Sequence, residues 1–169
     1  MKQASKSLSD CVMQYCRSVA LGKFPRAYRG IVGALQQFKS AWEHAHPGES
    51  AGSLYQGYLD MSFVAVAPAN LAAKRLKISL VFLHDSGIFT LWLTAGNRAI
   101  QKRVSDSLAR VPLKGYTLNT LEPGVDAIIT RDLDQPYAFD EPAALTRRLL
   151  SAVESFAEDM AALTAAITP

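Results

Sequence analysis

Residues that build disulfide-stapled or metal-bound folds are scarce in this chain. Cysteine occurs twice in 169 residues, as Cys11 and Cys16, and histidine three times, as His44, His46 and His84. The two cysteines stand five apart in a helical stretch and point to different faces, a spacing that suits neither a disulfide nor a metal pair. His44 and His46 lie two apart near a helix end, again on different faces, so no metal site is expected. There is no Gly-x-Ser-x-Gly elbow, phosphate loop or dinucleotide glycine pattern. No catalytic residue and no cofactor is therefore assigned. Gly30 and Gly33 fall within a helical stretch and read as close-packing positions. No apolar run approaches the roughly 18 residues of a membrane-spanning helix. Met1–Asp10 is polar, unlike a secretory signal. The expectation is a cytoplasmic protein without membrane contact. The formal net charge is only +3. Its cations sit in small clusters at Lys74–Lys77, Gln101–Arg103 and Arg147–Arg148, so nucleic acid is not an expected partner.

The chain does hold enough apolar residues, 49% of the total, for one domain with a real core. Its centre, Ser53–Arg98, reads as three strands. Leu54–Val66 alternates with period two. Tyr55, Leu59, Met61, Phe63 and Ala65 are expected on an apolar face, and Gln56, Tyr58, Asp60 and Ser62 on a polar one. Ile78–His84 is the second strand. Asp85-Ser86-Gly87 supplies hairpin chemistry. Ile88–Thr94 is the third, with Phe89, Leu91 and Leu93 on one side and Thr90, Trp92 and Thr94 on the other. Strands this closely spaced form an antiparallel meander, because parallel neighbours need a crossover of a dozen or more residues.

Helices flank the meander. Ser5–Leu21 repeats apolar residues at helical spacing, with Ser7 or Ser9 as cap and Gly22 as stop. Pro25 opens a second helix that runs to about His46, with Tyr28, Ile31, Val32, Leu35, Phe38, Ala41 and Trp42 as its stripe. Asn97 is a candidate N-cap for a third helix, ended by Pro112, whose core stripe is Ile100, Val104 and Leu108. Tyr116–Thr120 and Ala127–Arg131 read as short strands. Pro142 begins a last helix reaching about Ile167. The order ααβββαββα implies an α+β fold, a mostly antiparallel sheet with helices packed on it. Residues 1–24 read as an N-terminal helical extension and 25–169 as a single α+β domain.

Seven residues form the candidate site: Tyr58, Asp60, Lys77, His84, Trp92, Asn97 and Arg98. A charged Asp60 in a sheet interior needs a partner, which Lys77 or Arg98 could supply. One reading is a polar network that fixes strand register. The other is a pocket in which Arg98 and Lys77 hold an anionic group while Trp92 or Tyr58 stacks on a flat ligand. This implies a binding domain for a small anionic or aromatic molecule, or a peptide. A second reading makes Asp60 and Lys77 half of a nuclease-fold hydrolase site. It is weakened because Arg75 stands where a second acid belongs, two residues before the lysine. The element order is shared in part with the αβββαβ core of restriction-endonuclease-like proteins. A third reading is a structural protein that forms a homodimer through Ser5–Leu21.

Three segments carry a family resemblance. They are Gly52–Ser62 (Gly-Ser-Leu-Tyr-Gln-Gly-Tyr-Leu-Asp-Met-Ser), Leu76-Lys77-Ile78 leading to Val81-Phe82-Leu83-His84, and Trp92-Leu93 followed by Gly96-Asn97-Arg98. Together they resemble the signature of an uncharacterised bacterial family of unknown function, over roughly Pro25 to Ile167. The resemblance implies one intact domain and assigns no activity or catalytic residues.

Overall fold

The computed structural model describes residues 7–113 and 115–167. Helix α1 (Leu8–Ala20) is capped by Ser7, whose Oγ accepts from the Asp10 amide at 3.2 Å. Gly22, at φ +74°, makes the turn into α2 (Lys23–Ala45), and Pro25 sits in its first turn. Two short strands follow, β1 (Ser50–Ala51) and β2 (Tyr55–Gln56), then β3 (Met61–Ala67) and a one-turn helix α3 (Ala69–Ala72). The long hairpin is β4 (Leu76–Leu83) and β5 (Ile88–Ala95), closed by Gly87 at φ +69°. Helix α4 (Arg98–Leu108), strands β6 (Thr117–Leu118) and β7 (Ala127–Asp132), and helix α5 (Pro142–Leu163) complete the chain.

All strand pairs are antiparallel, in the order β1-β3-β4-β5-β7-β6, with β2 also beside β3. The α+β class and the β3-β4-β5 meander are therefore as the sequence implies. The short β1, β2 and α3 add to the expected order. The third strand divides its side chains as expected: Phe89, Leu91 and Leu93 are buried in the core.

The first expected strand is different. The chain does not run straight from Leu54 to Val66 but folds back at Gly57–Asp60, so Tyr55 pairs with Phe63 and Gln56 with Ser62. The Gly57 amide donates to the Met61 carbonyl at 3.0 Å, and Leu59 takes φ +64°. A Cβ on Gly57 would come within 2.5 Å of the Met61 carbonyl oxygen and meet the Asp60 carboxylate, so glycine is required for the reversal. The inward face of β3 is also the opposite of that expected: Ser62, Val64 and Val66 are buried, while Met61, Phe63 and Ala65 are only partly covered. Val64 and Val66 pair with Leu80 and Ile78, whose side chains lie under the helices. Ser62 goes in with the two valines because strand side chains alternate strictly.

One core joins this face to the helices. Leu35, Phe38 and Trp42 of α2, Leu71 of α3, and Ile100, Val104 and Leu108 of α4 belong to it. So do Leu145, Leu149, Val153, Phe156 and Met160 of α5. The opposite face carries Met61, Phe63, Ala65, Ser79, Val81, Leu83, Ile88, Thr90 and Trp92 by alternation and register, and none of them belongs to that core or its margin. Among the described residues, then, every helix with buried side chains packs on one side of the sheet, and the other side has no helical layer. Leu80→Ala, at the centre of the covered face, is expected to destabilise the protein by about 2–5 kcal/mol in denaturant unfolding. Lys77→Gln, on the bare face, should change stability by less than about 0.5 kcal/mol.

Candidate functional site

The structure separates most of the seven candidate residues. Tyr58 is 99% exposed at the tip of the β2–β3 hairpin. Asp60 is exposed at the end of that turn, and its carbonyl accepts from the His84 amide at 2.9 Å. Lys77 is exposed near the start of β4, paired with Thr94. Met61 is opposite Leu83, so Asp60 sits level with His84, and Lys77 is seven positions further along β4. At about 3.3 Å per residue that is roughly 23 Å. Asp60 and Lys77 thus do not form the acid–lysine pair of a nuclease centre.

Asn97 and Arg98 have local partners. Asn97 Oδ1 accepts from the Ile100 amide at 2.9 Å and caps α4. Arg98 Nη1 donates to the Val125 carbonyl at 2.6 Å and to Gln101 Oε1 at 2.7 Å, and Nη2 pairs with Asp126 at 3.3 Å. Gln101, buried, donates to the same segment, to the Val125 and Asp126 carbonyls. These contacts tie the guanidinium to the segment that leads into β7. Trp92 lies on the uncovered face, between Ser79 and Thr130.

One group does assemble, and it includes three residues outside the expected set. Ser62 Oγ and His84 Nε2 are 2.9 Å apart, Tyr28 of α2 stacks on the imidazole at 5.6 Å, and Phe82 meets it edge-on at 5.3 Å. Burial lowers the His84 pKa below its ordinary 6.5, and the nearby Asp60 carboxylate partly opposes this. A serine, a histidine and an aspartate resemble the composition of a hydrolytic triad. Geometry argues against that chemistry here. Ser62 has no solvent-exposed surface, so no carbonyl can reach its Oγ. Asp60 influences His84 through space, without an ion pair. The pair is a buried polar tie between β3 and β4 that satisfies the one hydroxyl carried inward with the valines.

The uncovered face is the larger feature. Its rows are read from the register: Phe63–Val81–Thr90–Asp132 and Ala65–Ser79–Trp92–Thr130–Thr117. Tyr55 stacks on Phe63 at 4.8 Å and extends the first row. Val81, Ser79 and Thr90 are buried, whereas Phe63, Trp92, Met61, Leu83 and Ile88 are half-buried. Small residues thus form a sunken floor between larger aromatic and aliphatic ones. An antiparallel sheet with one wet face ordinarily turns polar residues outward; this one turns out Met, Phe, Val, Leu, Ile and Trp. The signal in the sequence is the unbroken apolar run Leu80-Val81-Phe82-Leu83, the pattern of a strand covered on both faces.

Two concavities lie elsewhere. An open groove of about 530 Å³ between α2 and α5 is lined by Gln36, Gln37, Ser40, Thr146 and Arg147 among others. A notch of about 380 Å³ at the β6–β7 edge is lined by Thr117, Thr130, Arg131, Asp132 and Asp134 with Gly115. Neither takes in any of the seven candidates.

Because the His84 pKa is lowered on folding, the unfolded chain binds more protons than the native one as pH falls through 6.5. Native stability contributed by neutral His84 is full above that pH and is lost below it. His84→Gln keeps a polar partner for Ser62 and removes this dependence. Denaturant titrations should therefore show wild type losing more stability than the variant between neutral pH and about pH 5, with the His84 ring titrating below 6.5 by NMR. Asn97→Ala should cost about 1 kcal/mol through loss of the α4 cap, measured the same way.

Comparison with the curated proteins and with the solved structures returns no match. A family model does match, over residues 8–164, and this span takes in α1 as well as the segment from Pro25 onward that carries the motifs. The chain belongs to the family described as a domain of unknown function, DUF7000.

Proposed function

We propose that this protein is a binding module whose partner, an apolar polypeptide surface, seats on the helix-free face of the sheet. The observation that carries this reading is the outward set of Phe63, Trp92, Met61, Leu83 and Ile88 around a buried floor of Val81, Ser79 and Thr90. Outward-facing apolar side chains grouped in this way mark interaction surfaces, and aromatic residues supply most of the energy at such surfaces.

The face is broad and shallow. Four strands at about 4.8 Å spacing and about 3.3 Å per residue make it roughly 19 Å by 23 Å, larger and flatter than a small-molecule cleft. Arg98, expected to hold an anionic group, spends its guanidinium on Val125, Gln101 and Asp126. This favours an apolar polypeptide over a small anion. The edges of the sheet suit face binding as well. The outer strands β1, β2 and β6 are two residues long, too short to template an added strand.

A photo-crosslinking amino acid placed at Thr94, on this face, is the test, with Gln36 on the outer side of α2 as the control position. The expected result is discrete adducts from Thr94 and not from Gln36, abolished by Phe63→Lys. Absence of adducts from Thr94, or adducts that survive Phe63→Lys in a folded protein, overturns the reading.

A further inference from the structure

We infer that two copies of this chain pair reciprocally, with α1 of each copy lying across the uncovered sheet face of the other. The inference rests on the sheet-face reading above and names the partner.

Helix α1 is the second unpartnered apolar surface of the chain. Leu8, Val12, Tyr15 and Val19 recur at i, i+4, i+7 and i+11, yet α1 buries none of its residues, with Leu8 80% and Tyr15 60% exposed. Asp10, Gln14 and Arg17 lie on the other side of the helix. A helix of 13 residues is marginal in water by itself and draws its stability from packing an amphipathic face. The family match begins at Leu8, so this helix is part of the domain.

The two bare surfaces fit each other in kind and size. A sheet face is ordinarily closed by a layer of helix. At 1.5 Å per residue α1 is about 20 Å long, close to the roughly 23 Å of the long strands. The helix cannot cover the sheet of its own chain. It joins α2 through Leu21 and Gly22, which span about 7 Å. Because α2 lies on the helical side, α1 would have to cross the sheet to the opposite layer, roughly 20 Å away for helices about 10 Å in diameter. A second copy has no such restriction, and reciprocal exchange closes the pair by two-fold symmetry.

The area argues for reciprocity. Each copy would bring four rings, Tyr15, Tyr55, Phe63 and Trp92, each of about 150–250 Å². Tyr15 is 60% and Tyr55 45% exposed, with Phe63 and Trp92 less so, which gives about 300 Å², and the aliphatic residues of α1 and the sheet supply a comparable amount. The sum is on the order of the 800 Å² per partner of a stable interface, whereas a single helix-on-sheet contact reaches half of it.

Light scattering on the full chain tests the pairing. Wild type should have twice the 18.4 kDa mass of the chain. Two variants, Val12→Asp with Tyr15→Asp on α1 and Trp92→Asp on the sheet, should each fall to 18.4 kDa with unchanged far-UV circular dichroism. Cys11 and Cys16 on α1 are exposed, so in Ala65→Cys the introduced sheet-face thiol should form a disulfide with one of them on mild oxidation. In mixed isotope-labelled samples that disulfide should join two chains. A monomeric wild type overturns the inference. So does a Trp92→Asp protein that stays dimeric while the α1 variant dissociates, since the helices would then pair with each other. Adducts of foreign mass from the Thr94 photoprobe, with the chain at 18.4 kDa, remove self-pairing and keep the sheet-face reading; no adducts at all remove both.

Discussion

Val64, Ile78, Leu80, Leu91 and Leu93 have essentially no contact with solvent, and what covers them is Leu35, Phe38, Leu149, Val153 and Phe156 from two long helices. That one-sided burial is the constraint from which the rest follows. At about 25 cal/mol per Å² of apolar surface, the large side chains gathered there outweigh any local preference of a single residue. Ser62 shows this clearly. Its hydroxyl is carried into the core because its neighbours Val64 and Val66 must go there, and His84 Nε2, 2.9 Å away, satisfies it.

The same constraint creates the asymmetry of the molecule. Among the described residues, all helices with buried side chains lie on one side, so the second face of a central strand as apolar as β4 has no helix over it. Small residues sink into its floor and rings rise around them. Helix α1 is likewise amphipathic and without buried residues. The α1 stripe and the half-buried rings of the sheet face are thus apolar surface left outside the main core.

The polar residues around Asn97 do quieter work. The Asn97 cap, the Arg98 contacts and the buried Gln101 amide converge on Val125–Asp126 and hold β7 against β5. Residues with evident chemical promise thus serve the joint between a helix and the strand beyond it. Buried or half-buried polar groups must find partners, and backbone carbonyls at a strand entrance are abundant acceptors.

The sequence by itself determined the elements. Period-two alternation placed the meander, 3.6-residue stripes placed α2, α4 and α5, and Gly87, Asn97 and Pro142 marked turn and caps where the structure has them. These are local signals, readable within a few residues of each other. Only the tertiary structure decided which face of β3 turns inward, that Gly57–Asp60 reverses the chain, and that Arg98 bonds to a segment 27 residues on. Alternation defines two faces but does not say which one a helix will cover. That choice belongs to contacts between residues far apart in the chain, and the candidate site dispersed because its members were grouped by face before the covered face was known.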